Sequence, residues 1–68
     1  KEIKDLLEKY LAKLSPKYRE PLILYYIEEM SYKEIADILK IPVATVGIRL
    51  KRGKDTLSEL MEEEKGQH

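Results

Sequence analysis

The stretch between Ser31 and Pro42 is punctuated at both ends, and this constrains the fold more than any other feature of the chain. Ser31-Tyr32-Lys33-Glu34 is a capping box, with the serine and the glutamate at the spacing that satisfies two free backbone donors reciprocally. Ile41-Pro42 closes the far side, because the residue before a proline disfavours helical dihedrals. Ile35, Ala36, Ile38 and Leu39 then bury one side of a short helix over 32–39, which a tight turn joins to whatever follows Pro42. Helices this short are marginal in isolation, so its stability must come from neighbours.

Those neighbours also read as helices. Ile3, Leu6, Leu7, Tyr10, Leu11 and Leu14 recur at helical spacing with Lys and Glu between them, predicting an amphipathic helix over 2–14. Ser15 is placed to cap the next helix, 16–29, and Pro16 takes the first helical position, where its missing N–H costs nothing. Leu22, Ile23, Tyr26, Ile27 and Met30 supply the apolar face, while Pro21 removes one hydrogen bond and predicts a kink or a later start. Beyond Pro42, Val43, Val46, Leu50, Leu57 and Leu60 mark one long helix over 43–63, with Gly53 in the vacant place of the stripe. That glycine gives up about 1 kcal/mol of helix propensity against alanine, which is reasonable where another element packs closely. Glu62, Glu63 and Glu64 sit near the negative pole of the helix dipole, so the end is expected to fray into a disordered tail at 65–68.

With no strand pattern or internal repeat, the expected fold is all-α: a small domain of about four helices over 1–64 containing a helix-turn-helix. The predicted core is Leu6, Leu7, Leu11, Leu14, Leu22, Ile23, Tyr26, Ile27, Ile35, Ala36, Leu39, Val43, Val46 and Leu50. Sixty-eight residues fit one domain and leave no interior for an enclosed substrate site. The absence of cysteine excludes disulfides, thiolate zinc sites and a cysteine nucleophile, and makes the cytoplasm the default compartment. The longest apolar run, Leu22 to Ile27, is far short of the roughly 18–20 residues that span a bilayer, so a soluble chain without membrane association is expected. The chain opens at Lys1 without an initiator methionine, which reads as a domain cut from a longer protein or a processed product.

Thirteen basic and thirteen acidic residues cancel, and a neutral chain would ordinarily argue against nucleic acid as a partner. The charges are segregated, however. Residues 31–54 carry six basic and two acidic groups, whereas residues 55–68 carry one basic and five acidic. The basic segment coincides with the pair of helices joined by the tight turn, the arrangement of a helix-turn-helix. With Val43, Val46 and Leu50 turned inward, Ala44, Thr45, Gly47, Ile48, Lys51, Arg52 and Lys54 spread over the outer faces of the second helix. Its cations can reach phosphates or bind guanine, and Thr45 with the helix N-terminus suits phosphate oxygens. The plainer alternative is an ordinary solvated helix face.

Leu14-Ser-Pro-Lys-Tyr-Arg-Glu, Met30-Ser-Tyr-Lys-Glu-Ile-Ala-Asp-Ile-Leu, Ile41-Pro-Val-Ala-Thr-Val and Arg49-Leu-Lys-Arg-Gly together resemble region 4 of bacterial sigma factors, most closely the extracytoplasmic-function group. The resemblance covers about residues 10–60. It implies a bacterial, cytoplasmic, non-enzymatic domain that recognises the minus-35 promoter element with the helix after Pro42, docks on the flap of the RNA polymerase β subunit, and is open to sequestration by an anti-sigma factor. Carried over by position, it places Ile48, Lys51 and Arg52 at base edges, and Tyr32, Lys33, Thr45, Arg49 and Lys54 at or near phosphates. The chain departs from the family's usual pattern at Gly47, where Lys or Arg is common, at Ile48, where a small polar residue is common, and at Tyr25, where Arg is frequent. Ile48 can instead pack on a thymine methyl.

Two other readings compete. A sigma-like module that binds the polymerase flap or an anti-sigma factor with little DNA affinity suits the zero net charge and the uncharged Gly47 and Tyr25. A LuxR-type regulator domain shares the Ser31-to-Leu39 style of segment but usually lacks the Arg49-Leu-Lys-Arg-Gly ending, and would bind a palindrome as a dimer. Tyr10, Tyr18, Tyr25 and Tyr26 are spaced as core or rim aromatics rather than base-stacking residues. His68 and scattered carboxylates are no basis for catalysis, a metal site, a cofactor or a small-molecule substrate.

Overall fold

Four α-helices and one π-helical turn follow one another, with no strand, across residues 2–65, the part of the chain that the computed structural model describes; side chains are described from Asp5 to Glu63. The first helix, α1 (Glu2–Leu11), is shorter than the expected 2–14. Lys13 and Leu14 donate to the carbonyls of Tyr10 and Leu11, three residues back, each at 3.0 Å, so the last turn tightens out of α geometry. This tucks Leu14 into the interior just before Ser15-Pro16. Arg19 fastens the corner from below, its Nη1 donating to the Leu14 carbonyl at 3.2 Å.

Pro16 opens α2 (Pro16–Leu22) as expected, but Ser15 makes no side-chain cap. Its backbone is extended and its carbonyl accepts from Tyr18 and Arg19 at 3.1 and 2.9 Å. The expected helix over 16–29 is also not a single α-helix, for residues Ile23–Ile27 wind as a π-helix. Glu28 donates to the Ile23 carbonyl, five residues back, at 3.0 Å. The wide turn follows directly on Pro21, whose ring crowds the Lys17 carbonyl and which has no N–H to offer it. Glu29 then takes a left-handed backbone, φ 59°, and turns the chain towards Ser31.

The capping box forms: Ser31 N–H donates to Glu34 Oε1 at 2.8 Å, and Glu34 N–H donates to Ser31 Oγ at 3.1 Å. It starts α3 (Tyr32–Leu39) where the sequence places it. The helix ends in a Schellman-type turn in which Lys40 is left-handed, φ 58°, and the Ile41 N–H donates to the Ala36 carbonyl at 3.1 Å. Pro42 prevents continuation, and its carbonyl accepts from Thr45 and Val46 at 3.0 and 3.1 Å to begin α4 (Val43–Lys65). That helix runs through Lys65, past its expected end at 63 and into the expected tail; residues 66–68, including His68, and residue Lys1 lie outside the described part.

Tyr10, Leu11 and Leu14 meet Leu22, Ile35 and Ala36 around the inner face of α4, which contributes Val46, Leu50 and Leu57. Three expected core residues are not enclosed: Leu6 is 47% exposed, Tyr26 46% and Val43 47%. Leu6 lies to the side of the Leu7, Leu11 and Leu14 line by which α1 packs, Val43 stands in the first turn of α4 before the stripe closes, and Tyr26 belongs to the π-turn, where α-helical phase no longer applies. Ile38 likewise faces out rather than burying a side of α3. Leu7, Ile23, Ile27 and Leu39 pack against the core while half-buried. No helix among the described residues is long and apolar enough to cross a membrane.

The α2–α4 contact closes over Gly53, which is buried. A Cβ there would stand 2.9 Å from Leu22 Cδ1 and 3.2 Å from Tyr18 Cβ, and the latter atom is tied to its backbone. Gly53→Ala is therefore expected to destabilise the domain by about 1–3 kcal/mol through overpacking, despite its gain in helix propensity. At Gly47 the added Cβ would meet Tyr32 Cε2 at an ordinary 3.5 Å. Gly47→Ala should stabilise by up to about 1 kcal/mol. Urea unfolding of both variants checks the pair, and a Gly53→Ala protein as stable as the unaltered chain would refute the close approach.

Candidate nucleic-acid interface

Positions 46, 50, 53 and 57 are the buried line of α4, and their burial decides what the opposite side presents. Ile48, Lys51 and Arg52 are spaced i, i+3 and i+4 and share one exposed arc. Ile48 is 52% exposed, an apolar side chain held in solvent between cations. Lys51 pairs with Asp55 one turn on, Nζ to Oδ2 3.2 Å, with both side chains largely open to water. Such a pair adds little to stability and is readily exchanged for another anion. Arg52 is exposed, and Thr56 Oγ1 donates to its carbonyl at 3.0 Å, leaving the guanidinium outside that bond.

The residues expected at phosphates are distributed around this arc. Tyr32 and Lys33 lie exposed in the first turn of α3, Thr45 is half-buried in the first turn of α4, and Lys54 is exposed. Arg49 is half-buried, with its Nε covered and without a hydrogen-bond partner. It is thus less fully presented than Lys51 and Lys54. Tyr32, Lys51 and Lys54 come together around one cleft of about 400 Å³, which Tyr25, Tyr26, Gly47, Leu50 and the Asp55 carboxylate also line. Lys33, Thr45 and Arg49 are not among its lining residues.

Tyr25 and Tyr26 are the part of this site that reading them as core or rim aromatics did not capture. Tyr25 meets Tyr26 edge-to-face at 4.9 Å between ring centroids, and meets Tyr32 in the same manner at 5.5 Å. The available signal was the i, i+4, i+7 line of Gly47, Lys51 and Lys54, a gap followed by two cations along one flank of α4. A second, apolar groove of about 320 Å³ lies between the α2–π segment and α3, lined by Glu20, Ile23, Leu24, Ile38 and Leu39. Among the described residues no cluster of side chains is arranged to hold a metal ion.

Residues 4–57 match the family described as Sigma-70, region 4. The chain is 43% identical over 56 residues to the ECF RNA polymerase sigma factor SigW of Bacillus subtilis, an alignment covering 82% of this chain and 30% of that protein. It is 41% identical over 59 residues to the ECF RNA polymerase sigma factor SigM of the same organism, covering 87% of this chain and 36% of the relative. The chain therefore spans about a third of the length of these relatives.

The capping box begins α3, so its loss should be measurable. Ser31→Ala is expected to cost about 1 kcal/mol of stability. Thermal denaturation checks this, and an unchanged melting temperature would mean that tertiary packing alone sets the start of α3.

Proposed function

The chain belongs to the sigma-70 region 4 family, and we propose that it recognises the minus-35 element of bacterial promoters as the C-terminal domain of an extracytoplasmic-function sigma factor, directing RNA polymerase to initiation. The observation that carries this reading is the exposed arc of Ile48, Lys51 and Arg52 on a helix whose opposite face is locked into the core. A helix so held enters the major groove as a rigid element. Arg52 and Lys51 then reach base-edge acceptors, guanine being the favoured partner, and Ile48 packs on a thymine methyl. Tyr32, Lys33, Thr45, Arg49 and Lys54 contact the flanking phosphates and fix the register. Lys51 exchanges Asp55 for DNA on binding.

The domain works as a non-enzymatic binding module in the bacterial cytoplasm. Its protein partner is the RNA polymerase core, through the β flap, and the apolar groove with its half-exposed Ile38 is the surface suited to that contact. An anti-sigma factor would compete for the same surfaces. The same groove also favours the second reading, a protein-interaction module with weak DNA affinity. Salt-sensitive binding to duplex DNA separates the two.

Amide chemical-shift titration with duplexes of varied minus-35 sequence at low salt is the direct test, and shifts should be confined to residues 31–33 and 44–54. A folded chain that shows none would transfer the reading to the interaction module. Arg52→Ala should leave the fold intact and weaken preferred-site binding by about 1–3 kcal/mol, while Lys54→Ala should weaken all duplexes alike and lower the salt slope by about one. Unchanged affinity in Arg52→Ala would remove that residue from the base-reading arc.

A further inference from the structure

We propose that Tyr25 is a positioning residue for Tyr32, holding the Tyr32 phenol beside α4 as an uncharged hydrogen-bond donor to a backbone phosphate of the bound duplex. This rests on the reading of the α3–α4 surface as a DNA-binding face.

The backbone of Tyr32 is set by the capping box, since it is the residue immediately after the N-cap Ser31. Its ring is then set from two sides. Tyr25 lies edge-to-face with it, centroids 5.5 Å apart and planes at 73°. On the other side the ring leans over Gly47, where even a Cβ would already be in van der Waals contact at 3.5 Å. Any longer side chain at position 47 would compete for the space the ring occupies. Tyr25 is in turn braced by Tyr26, planes at 89°. The rings meet in the arrangement that their quadrupoles favour.

Clamping on this scale usually accompanies burial, yet Tyr32 remains 41% exposed. It also lines the cleft into which Lys51 and Lys54 project. A phenol held at the edge of this cleft, beside Lys54 and the Lys51–Asp55 pair, is ordered before DNA arrives, so the cost of fixing its two side-chain torsions is not charged against binding. Its hydroxyl can donate to a phosphate oxygen. Because it carries no charge it releases no counterion, so its contribution to affinity persists as salt rises while those of Lys51 and Lys54 fade. Tyr25 acts only through this placement and needs no DNA contact of its own.

The test is duplex affinity of the 68-residue chain, read by fluorescence anisotropy over a series of salt concentrations, with melting temperatures as the folding control. Tyr32→Phe should weaken binding about tenfold, as loss of a hydrogen bond to a charged group does, with the slope of log affinity against log salt unchanged. Tyr25→Leu should weaken it about two- to tenfold, whereas Tyr25→Phe, which keeps the edge-to-face contact, should stay within about twofold of the unaltered chain. In a Tyr32→Phe background, Tyr25→Leu should add nothing. If Tyr25→Leu does not fold, Gly47→Gln displaces the same ring from the α4 side and should reproduce the loss.

Full affinity in Tyr32→Phe, equal loss from Tyr25→Leu in both backgrounds, or failure of Tyr25→Phe to rescue would overturn the proposal. Each would leave the DNA-binding reading standing provided that Arg52→Ala still weakens binding. An unaltered chain that binds no duplex at low salt would overturn both.

Discussion

The closeness of α2 to α4 at Gly53 is the contact from which the other relations in the domain follow. Leu22, almost completely enclosed, seats on a stretch of α4 that has no side chain to hold it off. With that approach made, the Arg19 tether holds the end of α1 at the corner before α2, and Tyr10, Leu11 and Leu14 join the core that α4 lines. The other end of α4 is clasped by Ile35 and Ala36 from α3. A domain this small has few buried side chains to spare, so a missing side chain at the right place is worth more than an added one.

Pro21 connects this packing to the candidate site. Lying just ahead of Leu22, it is itself buried against the core and also interrupts the helical ladder, and the π-turn that follows carries Tyr25 and Tyr26. Wide helical turns are frequent where function needs a side chain placed off the regular helical phase. Here the interruption begins directly after Leu22, the residue that anchors α2, and contains the aromatic pair beside Tyr32. The scaffold and the presented surface are thus separated by a single helical turn.

The parts of this structure legible in the sequence are those encoded by short-range hydrogen bonding and by steric prohibition. The bounds of α3 follow from Ser31, Glu34 and Pro42, whose effects act within a few residues and do not depend on the rest of the fold. The empty place at Gly53 was legible for a similar reason, since an interrupted stripe signals close approach whichever partner fills it. Periodicity names the inward face of a helix but neither how wide the covered strip is nor how far along it the partner extends, which is why Leu6 and Val43 lie more open than their spacing suggests. It also assumes α geometry, so it could not anticipate the π-turn or the Tyr25–Tyr32 contact that comes with it. The exposed arc of Ile48, Lys51 and Arg52 was legible because the residues on the opposite side of the helix, Val46 and Leu50, are core residues. The half-withdrawn Arg49 was not, since spacing alone does not tell how much of a long side chain is covered.

In α4 one uninterrupted helix is both the wall of the core and the surface offered outward. Each residue added to or removed from it between Val46 and Gly53 would rotate everything beyond by about 100°. Such a change would turn Gly53 away from Leu22 and break the packing while shifting the outward residues. Substitutions at Ile48, Lys51 and Arg52 carry no such penalty, because their side chains are exposed. What this helix offers outward can therefore be altered one side chain at a time, whereas the length of the stretch is fixed by the packing behind it.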